Sequence, residues 1–136
     1  VRRMLEGQAV RLACTRRTAD NIREINAILE ETNKRLSKKQ SIEREDEAFH
    51  LAIFSATKND LLLRVARSFY ELSRHRRKVY FADQNRGRQS YEDHCTILEA
   101  IEERRVGLAE QQMNAHLSRT VEAWQSLLGE TKVTKR

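Results

Sequence analysis

The chain has 136 residues, 39% hydrophobic and 34% charged, which is enough for one domain with a real core and too little for two large ones. It contains no proline, where average usage would give about seven, and its abundant Leu, Ala, Glu, Arg, Lys and Gln enter helices at little cost. A sandwich or barrel is therefore not expected. No apolar run approaches the roughly eighteen residues of a membrane span and Val1–Gly7 holds no signal-peptide core, so the expectation is a soluble cytoplasmic protein without membrane contact.

Apolar residues recur at helical spacing almost throughout, and the breaks between runs carry helix-start signals. The first helix is expected from about Val1 to Arg16, with Leu5, Ala9, Leu12 and Ala13 on one stripe. Thr18 is placed to cap a second helix that buries Ile22, Ile25, Ile28, Leu29 and Leu36. Ser41 caps a third, bearing Ile42, Phe49, Ile53 and Phe54. Asn59 opens a long fourth helix, to about Phe81, with Leu62, Val65, Ala66, Phe69 and Leu72 inward. The polar stretch around Asn85, Arg86 and Gly87 reads as a loop and candidate hinge. Ser90 then starts a fifth helix with Asp93 in a capping-box position, and Ile97, Leu98 and Ile101 line its inner face. A sixth runs from near Val106 to Leu128, where Gly129 is placed as a stop. The expected fold is all-α, an antiparallel bundle of about six helices over residues 1–129, followed by a polar, frayed tail over residues 130–136.

The net charge of +6 permits an anionic partner without identifying one. From Asp60 to Arg88, eight basic residues face three acids, and four of the eight lie between Arg74 and Lys78. Cys14 and Cys95 stand apart without a CxxC or CxxH pairing, so they read as small core residues and not as a disulfide or zinc knuckle.

The histidines carry more information. Asp46 and His50 are one turn apart, which stacks a carboxylate and an imidazole about 6 Å apart on one face of the third helix. His94 precedes Leu98 by one turn, and His116 shares a stripe with Met113, Leu117 and Thr120. If these helices share an axis, three imidazoles and a carboxylate converge in a way that suits Zn²⁺, Ni²⁺, Mn²⁺ or Fe²⁺. Spacing alone leaves open the reading in which each histidine is a hydrogen-bonded core residue. His75, set among arginines, is expected at the surface.

Three stretches, VRRMLEGQAVRLAC, DEAFHLAIFSATKND and SYEDHCTILEAIEERRVGLAEQQMNAHL, resemble the FadR-type C-terminal (FCD) ligand-binding domain of GntR-family bacterial transcriptional regulators, from about Val1 to Leu128. The resemblance implies an antiparallel helical bundle. It further implies a divalent metal ion, Zn²⁺ first with Ni²⁺, Mn²⁺ or Fe²⁺ as alternatives, held by Asp46, His50, His94 and His116. A small organic acid would be the effector, its carboxylate entering open coordination positions. An arginine would then hold the far end, since guanidinium pairs a carboxylate bidentately. Arg2 and Arg76 are the two candidates on inward stripes, while Arg74, Arg77 and Lys78 are expected to be solvated. Tyr80 and Tyr91 are possible hydroxyl donors to the effector.

The resemblance also implies a winged-helix DNA-binding domain ahead of the bundle. None is found in this chain, which is therefore expected to be a fragment that senses a ligand and forms a homodimer, with DNA read only by the missing domain. The fourth helix, with Leu61, Leu62, Leu63, Val79, Tyr80 and Phe81, and the first helix are the candidate dimer surfaces. Two competing readings are a metal-dependent hydrolase-like enzyme and a metal-free helical interaction module. The enzyme is disfavoured because Glu47 and Glu92 turn away from the ligands and leave no evident base.

Overall fold

The computed structural model describes the backbone of residues 1–134 and the side chains of residues 1–128. It contains seven helices and, among the described residues, no strand: α1 (Arg2–Arg16), α2 (Ala19–Ser37), α3 (Glu43–Ala56), α4 (Asp60–Leu72), α5 (Arg74–Tyr80), α6 (Gln84–Glu102) and α7 (Val106–Thr134).

Local chemistry explains most of the boundaries. Thr18 accepts from the Asn21 backbone while the Asn21 side chain accepts from the Thr18 backbone, a reciprocal cap for α2. Asn59 caps α4 through the Leu62 N–H at 3.0 Å. Before α3 the Ser41 hydroxyl accepts only from the Glu43 N–H at 3.3 Å, and Ile42 occupies the cap position itself. Without glycine to supply a left-handed residue, Lys39, Lys58 and Arg104 take φ of 58°, 59° and 58° just beyond α2, α3 and α6.

Three expectations are corrected. The fourth helix breaks at Ser73, whose backbone leaves the helical region. Before the break α4 turns its Ala66 and Tyr70 face inward, which leaves Val65 and Leu72 pointing outward, and beyond it the changed register turns Tyr80 and Phe81 in to pack with Leu36 and Ile42. The expected loop at residues 85–87 is the first turn of α6, because Asp83 accepts from the Asn85 and Arg86 N–H groups and caps the helix seven residues before Ser90. A Cβ at Gly87 would lie 3.2 Å from Leu36 Cδ2, so glycine serves close packing there and not a turn. Gly129 does not stop α7, whose backbone continues to Thr134; the side chains of the expected tail lie outside the described residues.

Packing follows the small and large residues of each face. α1 rests on α7 and α3, not on its sequence neighbour α2; α2 packs on α3 and α6, and α6 on α7. Ala9, Val10, Ala13 and Cys14 allow the close approach of α1, and Phe49, Ile53, Phe54, Ile25, Ile97, Ile101 and Met113 fill the interior. Cys14 is a buried core residue, whereas Cys95 is only half-buried. Peripheral α4 buries only Ala66 and Tyr70.

Candidate metal centre

Three rods meet at the site. On α3, Asp46 and His50 stand one turn apart, and both are buried. His94 shares the inner face of α6 with Ile97 and Ile101, and His116 that of α7 with Met113 and Ala109. Asp46, His50, His94 and His116 each present one donor atom, all within 4.8 Å of one another.

The separations can be compared with those a cation would require. Asp46 Oδ1 lies 3.4 Å from His50 Nε2 and 3.5 Å from His94 Nε2, and the latter is 3.3 Å from His116 Nε2. Donors held at about 2.05 Å around a tetrahedral ion sit roughly 3.3 Å apart, so these three distances fit. His50 Nε2 is buried without a hydrogen-bond partner, a cost a native core rarely bears unless something occupies the position. The donor set is three imidazoles with one carboxylate, the chemistry of a borderline cation.

Behind the donors the polar groups are paired. His50 Nδ1 donates to Glu6 Oε1 at 2.5 Å, and Glu6 Oε2 accepts from Arg2 Nε at 2.6 Å and from the Tyr70 hydroxyl at 3.0 Å. His116 Nδ1 donates to Asp93 Oδ2 at 2.8 Å, and Asp93 also accepts from Arg119 Nη2 at 2.6 Å and from Gln89 at 3.1 Å. His94 instead stacks flat on Phe49, with ring centroids 3.9 Å apart and 9° between planes.

These environments separate the ionisations. Burial favours a neutral Glu6 and a neutral Asp46, yet His50 outweighs it for both, joined by Arg2, and holds both carboxyls below the usual range. Burial likewise opposes charge on His50, but Glu6 and Asp46 raise that imidazole to about 9. Burial, together with the neighbouring histidines, pushes His94 well below its ordinary value, and burial also lowers His116.

A cavity of about 520 Å³ opens onto the cluster, with Asp46, His116, Ser90 and Thr120 among its lining and Phe69, Tyr80, Phe81 and Trp124 as apolar walls. Both candidate effector arginines line it. Arg2 is committed to Glu6 and also donates to the Tyr70 hydroxyl at 3.0 Å. Arg76 lies 6.0 Å from the Trp124 ring centroid and forms no ion pair among the described residues. Tyr80 is on the cavity, whereas Tyr91 faces Arg88 on another side of the bundle.

Arg77 corrects the expectation of a solvated side chain. It is 5% exposed and donates to Glu47 Oε1 at 2.7 Å, Glu43 Oε1 at 3.2 Å and the Tyr70 carbonyl at 2.6 Å. The break at Ser73 turns it inward. His75 is exposed, as expected. Sequence reasoning missed Glu6, Tyr70 and Arg119 and took Asp93 for a capping residue. The only available signals were Arg2 and Glu6 at i,i+4 spacing and an acid beside His94, both commonplace on helix surfaces.

A helical bundle that buries a histidine–aspartate cluster beneath a cavity is built as a binding domain, with the bundle as frame and the pocket as receptor. The chain belongs to the FCD domain family, whose model matches residues 1–119. It is 32% identical over 123 residues to the HTH-type transcriptional regulator LutR of Bacillus subtilis (strain 168), a match covering 87% of this chain and 56% of that protein. It shares its fold with a GntR-family transcriptional regulator of Pseudomonas syringae pv. tomato str. DC3000, with a TM-score of 0.75 and 22% identity over 99% of this chain and 56% of that one. The chain thus spans about half the length of these relatives. No described helix is long and apolar enough to cross a membrane.

Proposed function

We propose that this chain is the effector-sensing and dimerisation domain of a cytoplasmic GntR-family transcriptional regulator. In this reading Asp46, His50, His94 and His116 hold a divalent cation, Zn²⁺ in the first instance, and a small carboxylate effector enters through the cavity. The supporting observation is the orphaned His50 Nε2 within a buried set of four donors that lie within 4.8 Å of one another. A bound ion would supply a Lewis-acidic point for an effector oxygen. The chain's own residues do the rest. Arg76, without a carboxylate partner among the described residues, meets the effector's second polar end, and Arg2, anchored on Glu6, lends positive charge at the inner wall. Phe69, Tyr80 and Phe81 keep water from the middle of the ligand.

Signalling requires that the effector bind two arrangements of the complete protein with different affinity. In this reading DNA is read by an N-terminal winged-helix domain of that longer protein, and a two-fold arrangement of domains matches a palindromic operator. Leu61 and Leu72 are 72% and 87% exposed on α4 and, with Val65, form an apolar row suited to a second copy. An enzyme reading finds no free carboxylate base beside the cluster among the described residues: Glu47 is tied to Arg77 and Arg74, and Glu6 and Asp93 are tied to histidines.

Metal analysis after stripping and re-dialysis against Zn²⁺ tests the centre, with one ion per chain expected and its loss in His50→Ala. Calorimetry with a panel of small mono- and dicarboxylates then separates sensor from enzyme, since saturable binding without turnover is expected and Arg76→Ala should weaken it. Absence of stoichiometric ion would overturn the metal reading. Sedimentation of Leu72→Glu beside the parent tests the dimer surface.

A further inference from the structure

An imidazole can serve as a ligand through Nε2 only when its proton is on Nδ1, and in an isolated neutral ring nothing enforces that choice. Carboxylates accept hydrogen bonds and cannot donate them when ionised. Glu6 and Asp93 each face an Nδ1, that of His50 at 2.5 Å and that of His116 at 2.8 Å. They lie on different helices, α1 and α6, and reach two different rings across sequence separations of 44 and 23 residues. Each is also fixed by a second set of donors, Arg2 and Tyr70 for Glu6, Arg119 and Gln89 for Asp93.

Burying a carboxylate costs several kcal/mol unless its partners are well placed, and the core bears that cost twice beside one cluster. An apolar pair of similar volume would pack as well. What the carboxylates add is direction: both rings present Nε2 toward the point that Asp46 Oδ1 and His94 Nε2 also face. His94 has no carboxylate behind it among the described residues and is oriented by stacking on Phe49.

Building on the metal reading above, we propose that Glu6 and Asp93 are the positioning residues of the centre, holding His50 and His116 as Nδ1–H tautomers with Nε2 free to ligate. His94 is then the ligand the frame constrains least.

The test measures Zn²⁺ affinity of the full chain by competition with a chromophoric chelator, and the d–d absorption of Co²⁺ in the same site. The variants are Glu6→Ala, Glu6→Gln, Asp93→Ala and Asp93→Asn. Removing an outer-shell acceptor commonly weakens metal binding by about 10- to 100-fold, so that loss is expected for each alanine variant, with a changed Co²⁺ spectrum. Glu6→Gln and Asp93→Asn keep an oxygen that accepts the Nδ1 proton and should recover most of the affinity. Metal-free melting is recorded alongside. Alanine variants that melt lower yet bind Zn²⁺ as the parent does would overturn the proposal, as would amide variants no better than alanine. If Glu6→Ala does not fold, Glu6→Gln and the Asp93 pair decide. A parent that takes up no ion defeats the metal reading itself, whereas a parent that binds alongside variants that bind equally defeats only the present proposal.

Discussion

The core of this bundle has two unlike halves. Around Ile25, Ile53, Phe54, Ile97 and Ile101 the helices meet through hydrocarbon alone. Within a turn or two along α3 and α6, and on the facing sides of α1 and α7, Glu6, Asp46, His50, Asp93, His94 and His116 are also buried. Phe49 marks the boundary, stacked on His94 and edge-on to His50. The first half derives its stability from area removed from water, whatever is dissolved around the protein. The second must balance desolvated charge against geometry, and its balance changes with ligand and pH. Function is located where stability is conditional.

The sharpest contrast between the halves comes from truncation. Phe54→Ala removes a fully buried ring and should cost about 3–5 kcal/mol, equally with Zn²⁺ and with chelator, as read by chemical denaturation. His116→Ala should behave differently. With Zn²⁺ at about 100 times its Kd, the parent gains roughly 2.7 kcal/mol over the metal-free form, and the variant should lose most of that increment while melting closer to the parent in chelator. If both substitutions respond alike to chelator, the two halves are not distinct.

Proton linkage gives a second contrast, in the metal-free protein. His50 is raised to about 9, so its contribution is complete below an unfolded value near 6.5 and is lost as pH rises through 9. His94 and His116 are lowered, so their contributions are complete above about 6.5 and are lost as pH falls below it. The opposing signs predict a stability maximum near neutrality, flattened when Zn²⁺ occupies the donors. Denaturation midpoints across pH check this, and a monotonic profile would contradict it.

The smallest effects probe the frame that both halves share. Asp83→Ala should cost about 1 kcal/mol by removing the cap of α6, whereas Ser90→Ala, seven residues inside the helix, should cost less. Lys39→Gly should stabilise by up to about 1 kcal/mol, because glycine accepts the left-handed backbone found there. Thermal melts of the three variants rank them directly.

Much of this was legible beforehand, and the failures share a cause. Thr18 and Asn59 cap helices as expected because a cap is a bond to a backbone group two or three residues away. Asp46 and His50 were identified together because a turn of helix sets their spacing. The fourth helix was read as continuous because Ser73 carries no local breaking signal, and Arg76 and Arg77 beyond it were assigned from an unbroken register. Glu6 was invisible as a partner of His50 because 44 residues separate them. Periodicity placed His94 and His116 on inner faces and allowed them to meet Asp46 and His50 only if the helices shared an axis; the FCD resemblance implied that they do.

Composition and periodicity by themselves determined an all-helical chain, most of its helix starts and the faces to be buried, because those follow from bonds and side-chain spacings within a turn or two. The tertiary structure alone decided which faces meet: that α1 lies on α3 and α7, that four donors from three helices converge, and that Glu6, Asp93 and Arg77 stand inside with their partners. Such pairings depend on crossing angles and registers between rods, which are settled by packing the whole core at once and leave no trace in any short stretch of chain.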